Sequence, residues 1–182
     1  MEIPAGDWVL RPWREGDEPA LVKYANNRNI WINLKDLFPH PYTMEDAEAW
    51  VQSQKDRDPP TNFAIANADE AIGAIGLRLL GDVHRRSAEV GYWLGEPFWG
   101  QGITTHALRA LTEHAFATFD LVRLEAFVKE WNPASARVLE KCGFTLEARL
   151  RKRVTKDGHT VDQLLYALVR EQARSAASGG VR

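Results

Sequence analysis

The chain has 182 residues, 45% of them apolar and 26% charged, with a net charge of −2. That length holds one hydrophobic core and is short for two, and nothing in the balance offers a blanket attraction to nucleic acid or anionic membrane. A single cysteine, Cys142, excludes an intramolecular disulfide and a cysteine-rich zinc site. With no bilayer-spanning apolar run and no signal-peptide pattern, a cytoplasmic location is expected.

Asp7 to Trp13 reads as a short first strand, and Pro12 puts it at a sheet edge or ends it in a bulge. Asp17 is set to cap a helix reaching about Asn26, and residues 26–41 are irregular and aromatic. Thr43, with Glu45 and Asp46 in the first turn, starts a helix to about Asp56 that Asp58-Pro59-Pro60 stops. Asn62 to Ala66 and Ala71 to Leu80 flank a polar turn, the pattern of an antiparallel hairpin, with Gly73 and Gly76 weakening or bulging its second strand. Beyond a second polar turn, Ser87 to Leu94 alternates Ala88, Val90, Tyr92 and Leu94 against Glu89, Gly91 and Trp93.

A glycine turn and a helix through about Phe116 follow, then a strand from Val122 to Lys129. Asn132, Ala134 or Ser135 opens a further helix that stops at Gly143. Phe144 to Lys152, or on to Val154, reads as a strand, and Lys156-Asp157-Gly158-His159 turns the chain back along Thr160 to Val169. Strand, glycine turn, helix and strand in succession predict a parallel crossover. With no linker or repeat, residues 1–172 are expected to form one domain and 173–182 a flexible tail.

The motif richest in chemistry is Trp99-Gly100-Gln101-Gly102-Ile103-Thr104-Thr105. A glycine turn opening a helix presents free backbone N–H groups and the positive end of the helix to an anion. There is no Gly-Lys-Ser/Thr loop and no GxGxxG after the first strand, so nucleoside triphosphate and dinucleotide readings fail. Asn132 and Ser135 at the next helix start are either plain caps or ligand contacts at the carboxyl edge of a sheet. Glu89 is either solvated or buried, and burial would raise it toward the neutral pKa that a general base needs. The five histidines show no metal spacing, so no metal is expected. Arg149, Arg151, Lys152 and Arg153 read first as a polar strand face; no nucleic-acid partner is expected.

Together these segments resemble the GNAT superfamily of acetyl-CoA-dependent N-acetyltransferases, and more closely its RimJ/RimL-like branch, the ribosomal-protein N-terminal acetyltransferases. The likeness runs from Leu10-Arg11-Pro12-Trp13 to about Val169. It is carried by Pro41-Tyr42-Thr43 with Glu45-Asp46-Ala47 and Trp50, Ala88 through Leu94, Pro97 with Trp99 through Ile103, and Asn132-Pro133-Ala134-Ser135 with Glu140 through Phe144. It implies an α/β fold of one domain: a twisted, mixed and mostly antiparallel sheet of about seven strands, helices on both faces, and acyl-CoA held where the fourth and fifth strands splay.

Carried over, the backbone of Tyr92, Trp93 and Leu94 meets the pantetheine arm. The turn from Trp99, through Gly100, Gln101, Gly102, Ile103 and Thr104 to Thr105, cradles the pyrophosphate, with Asn132 on the other side. Two positions depart from the pattern: Trp99 replaces a Gln or Arg, and Thr104 a smaller residue. The tyrosine that protonates the leaving thiolate in many members falls at Leu139, which has no proton to give, and Ser135 is the substitute. Cys142 is a packing residue.

The implied reaction is direct attack by a primary amine through a tetrahedral intermediate. Glu89 takes the amine proton, an N–H near Trp93 or Leu94 polarises the carbonyl, and Ser135 returns a proton to sulfur. The acceptor is a peptide N-terminus or a small-molecule amine, received by a groove of Trp31, Phe38, His40 and Tyr42, or these rings are ordinary core. Asp36, Glu45, Asp46 and Glu48 offer acidity for basic peptide ends. A non-catalytic acyl-CoA-binding module is the rival, and pairing into a homodimer stays open.

Overall fold

The computed structural model describes residues 1–170, so the tail expected at 173–182 lies outside the described residues. The strands are β1 (Ile3–Ala5), β2 (Trp8–Arg11), β3 (Asn62–Ala66), β4 (Ala71–Leu79), β5 (Ser87–Leu94), β6 (Arg123–Lys129), β7 (Thr145–Lys156) and β8 (His159–Val169). They form one sheet in the order β1-β2-β3-β4-β5-β6-β8-β7. Only β5 and β6 pair in parallel among the described residues; every other neighbour is antiparallel. The helices are α1 (Glu18–Ala25), α2 (Arg28–Trp31), α3 (Met44–Gln54), α4 (Ile103–Thr118) and α5 (Pro133–Lys141).

The count is eight strands because the N-terminal stretch is a hairpin. Gly6, at φ 71°, turns β1 into β2, and β2 stops at Arg11 because Pro12 has no N–H to give the ladder. The Thr43–Asp46 capping box forms at the head of α3 as the sequence predicts. Asp17, by contrast, does not cap α1 with its side chain. Its carboxylate instead takes both terminal nitrogens of Arg11, at 2.7 Å each, in the interior. β4 carries the bulge: Ile65 faces Gly73 and Ala66 faces Ala71, leaving Ile72 over. Gly73 is required there, since a Cβ would stand 2.5 Å from the Trp93 carbonyl oxygen.

Alternation along the strands supplies two apolar faces. On one, Ile75, Leu77, Ala88, Val90, Leu94 and Leu124 pack with Leu108 and Leu111 of α4 and Leu139 of α5. On the other, Ala64 and Ala71 pack with Leu21 of α1, Ala47 and Val51 of α3, Trp13 and Tyr42. Helices therefore cover both faces, and the crossover through α4 joins the two parallel strands.

The Arg11–Asp17 pair is 6% and 5% exposed at its side chains. Asp17→Ala leaves a guanidinium buried without its counter-charge, so unfolding free energy should fall by about 3–5 kcal/mol. The check is a lower urea midpoint at unchanged slope.

Candidate active site

β5 and β6 pair across only three positions, Ser87↔Arg123, Ala88↔Leu124 and Glu89↔Glu125. Past Glu89, β5 stays with β4 as far as Leu94↔Gly73, while β6 stays with β8 as far as Lys129↔Gln163. The two parallel strands therefore diverge into a fork. Because the N-terminal hairpin adds a strand, they are fifth and sixth in chain order.

Which backbone groups enter the fork follows from hydrogen bonds at both ends of β5. Leu80 N–H donates to Ser87 O at 3.0 Å, and Gly95 N–H donates to Ile72 O at 2.8 Å. Hydrogen-bonding sides alternate along a strand, so the odd residues of β5 bond to β4. Val90, Tyr92 and Leu94 thus turn their N–H and C=O groups into the fork, and Trp93 turns its own toward β4. The Leu94 carbonyl accepts the Trp99 indole N–H at 2.7 Å. Buried backbone groups require partners, so this edge is an unfilled place for one more strand-like segment.

The glycine turn lies beyond β5. Gly100 and Gly102 have φ of 76° and 79°, the left-handed region that side chains resist. Gly102 is the N-cap of α4, no side chain caps it, and the first turn holds no acidic residue. An added Cβ at either glycine would meet nothing within 4 Å. The first N–H groups of a 16-residue helix therefore face an open cradle. Ile103 and Thr105 are buried and anchor the turn, Thr104 is half-buried, and exposed Gln101 donates to Pro97 O at 3.3 Å.

Across the fork, Asn132 caps α5 by accepting from Ser135 N–H at 3.4 Å. The Ser135 hydroxyl lies 2.9 Å from the Tyr92 hydroxyl, linking β5 to α5. Burial pushes the Tyr92 phenol well above its usual range, so it stays protonated. Leu139 lies in the core. Cys142 is half-buried, its thiol donating to Thr105 O at 3.4 Å, and burial raises its pKa, against a thiolate nucleophile.

Glu89 sits where the strands part, its side chain 12% exposed. Lys35 Nζ donates to Oε1 at 2.7 Å, and the Arg78 guanidinium bonds Oε2. Burial pushes this carboxyl up, but hydrogen bonds and charge from Lys35 and Arg78 outweigh it and hold the pKa below the usual carboxylate range. The resting arrangement is thus an ion-paired carboxylate, where burial alone would raise one toward neutrality.

The segment between α2 and α3 forms a strap over the fork. Lys129 of β6 donates to Asn33 O and Leu34 O at 2.8 and 3.1 Å. Trp131 Nε1 donates to Asn33 Oδ1 at 3.0 Å, and Lys156 Nζ donates to Asp36 Oδ1 at 2.8 Å. Lys156 is 2% exposed, and its ammonium also stands 3.8 Å from the Trp31 ring centroid. Burial, with Lys156 nearby, brings Lys129 down to about 8. Trp31 stacks on His40, and Phe38 packs on Tyr42 and on Trp93 of β5. Tyr42 is buried, its phenol raised to about 12 by burial, and serves as the floor beneath Phe38.

Of the acidic residues considered for peptide ends, Asp36 is engaged by Lys156 and Asp46 by the capping box, while Glu45 and Glu48 stay exposed. Arg149 is held by Asp162 at 2.6 Å and by Glu130. The sequence places Lys35 among the acidic residues of the acceptor region but gives it no partner, and it assigns no role to Arg78, Lys129 or Lys156. Arg78 had a signal, since folding β4 back on β5 about the 81–86 turn sets it opposite Glu89. The lysines had none, because their contacts join distant segments.

The family profile for the acetyltransferase (GNAT) domain matches residues 8–145. An uncharacterized N-acetyltransferase p20 of Bacillus licheniformis is 31% identical over 172 residues, covering 94% of this chain and 91% of that protein. The ribosomal-protein-serine acetyltransferase of Escherichia coli K12 is 36% identical over 107 residues, 59% of each chain. Among solved structures, the ribosomal L7/L12 alpha-N-protein acetyltransferase RimL in complex with coenzyme A superposes with a TM-score of 0.81 at 26% identity, over 93% of this chain and 98% of that one. The open glycine cradle and the unfilled edge of β5 fit such a cofactor, the first offering donors to a diphosphate and the second to an amide-bearing arm.

Lys35→Met removes one of the two cations that stabilise the Glu89 carboxylate. Its titration, followed by carboxyl-carbon NMR, should move to higher pH, and an unmoved midpoint would show that the contact is not made in solution.

Proposed function

Since this chain belongs to the GNAT acetyltransferase family, we propose that it acetylates the α-amine of a protein or peptide N-terminus, in the manner of the RimJ/RimL branch. It is an acetyl-CoA-dependent acetyltransferase with an amine as acceptor. The observation that carries this reading is the fork of β5 and β6, with an uncapped helix start at one side and a carboxylate at its apex. No helix among the described residues is long and apolar enough to cross a membrane.

When bound, acetyl-CoA supplies an acetyl group activated as a thioester. The N–H groups at Gly100 through Thr105 would hold its pyrophosphate, the fork-facing groups of Val90 and Tyr92 its pantetheine arm, and Asn132 and Ser135 the opposite wall. Leu94 N–H, free in the fork while Trp93 faces β4, is the candidate donor to a carbonyl oxygen. Glu89 accepts the proton of an acceptor ammonium that takes the place of Lys35. Ser135, hydrogen-bonded to the protonated Tyr92, holds a proton for the leaving sulfur. Thiolate is a fair leaving group, with a free-thiol pKa of about 8.5, so this last contribution is modest. Trp31, Phe38 and His40 line the acceptor side.

A small-molecule amine is the second reading. The strap is pinned by Lys129, Trp131 and Lys156, and a walled space suits a compact acceptor better than a long peptide.

Glu89→Gln should lower kcat/KM by about 10²–10⁴-fold while leaving acetyl-CoA binding in calorimetry intact. Ser135→Ala should cost about tenfold, mostly in kcat. Turnover against peptides, polyamines and antibiotics, read by mass, separates the two readings. Calorimetry with no acetyl-CoA association would overturn both.

A further inference from the structure

The carboxylate assigned as base already holds a primary amine belonging to this chain. Lys35 Nζ is 2.7 Å from Glu89 Oε1, the position that an acceptor ammonium must reach to lose its proton. Lys35 comes in from outside: its side chain is 67% exposed against 12% for Glu89, so rotation about its methylenes leaves its head free to travel. Its backbone is anchored through neighbours, with Lys129 on Asn33 and Leu34, Lys156 on Asp36, and Trp93 against Phe38. A flexible amine on a fixed root has a high effective concentration at the site it can reach. The other cation on Glu89, Arg78, is a guanidinium that keeps its proton and cannot attack.

We propose that Lys35 is an intramolecular acetyl acceptor, modified at Nζ by the acetyl-CoA bound to its own chain. This rests on the acetyltransferase reading above. In the step, the Nζ lone pair forms an amide bond to the acetyl carbon as the carbon–sulfur bond of the thioester breaks. The ammonium gives up two protons: one passes through Glu89 to water, the other ends on the leaving sulfur as free thiol. No oxidant or reductant is needed. Two cations make Glu89 a weak base at rest, so the modification is slow and occurs once per chain. It turns an ammonium into a neutral amide, takes one cation off Glu89, and clears the apex of the fork for an outside amine.

The test is incubation of the intact chain with acetyl-CoA carrying a 13C-labelled acetyl group, followed by peptide mass mapping over time. Label should accumulate at Lys35 with first-order kinetics, at a rate unchanged when protein is diluted about tenfold. It should outpace exposed Lys55 by about a hundredfold or more, the margin expected of a positioned base. Glu89→Gln should slow Lys35 by about a hundredfold and leave Lys55 alone, and Lys35→Arg should remove the label from that peptide. Label at Lys35 no faster than at Lys55, or a rate that falls on dilution, overturns the proposal. Turnover of added amines with Lys35 unlabelled overturns it while the acetyltransferase reading stands. Absence of acetyl-CoA association in calorimetry overturns both.

Discussion

Two neighbouring parallel strands that stay together for three residues and then separate place a demand on everything around them. Each carries N–H and C=O groups past the point where a partner is present, and such groups are costly to bury unpaired. β5 keeps its other edge on β4 and β6 keeps its other edge on β8, so both strands remain firmly built while the space between them is open. The parity of hydrogen bonding then selects Val90, Tyr92 and Leu94 as the residues whose backbone lines it. Gly73 lets β4 lie close against Trp93, and the bulge sets Ile72 outside the register with β3. An extended, amide-bearing chain is what such an edge accommodates, in the way an added strand joins a sheet.

The fork also decides the electrostatics at its apex. Glu89 is in register with Arg78 on one side and with Glu125 on the other, and Lys35 reaches it from the strap. Its carboxylate is accordingly charged and paired in the resting chain. On the proposed reading, a base in this state would exchange one cation for another, the acceptor ammonium for a lysine head, so that the strap matters as much as the carboxylate.

That strap has little regular structure of its own, and buried lysines hold it. Lys156 and Lys129 are both nearly inaccessible, and each meets oxygen acceptors on residues 33–36. A buried ammonium is tolerated only with such partners, so removing the strap would strand two charges. The strap and the far end of the sheet therefore hold each other in place, and Trp31 beneath the Lys156 ammonium adds an attraction that needs an aromatic face.

Elements whose cause is local were legible in the chain. Asn62–Ala66 matches its place beside the polar turn, Ser87–Leu94 its alternation, α3 its capping box, and α5 its Asn132 cap and Gly143 stop. So was the glycine turn, because left-handed φ at residues 100 and 102 is a property of glycine itself. Gly6 as a turn was missed because a three-residue strand has no period to read, and Asp17 because its carboxylate found a buried guanidinium in preference to a helix end. Sequence by itself determined most of the elements, the left-handed glycine turn and the kinship of the chain, all of which rest on neighbours within a few residues or on motif order. Tertiary structure alone decided where β5 and β6 part, which amides face the gap, and that Glu89 is held by Lys35 and Arg78. Those features arise from pairing and charge between segments tens of residues apart, and no local pattern records such distances.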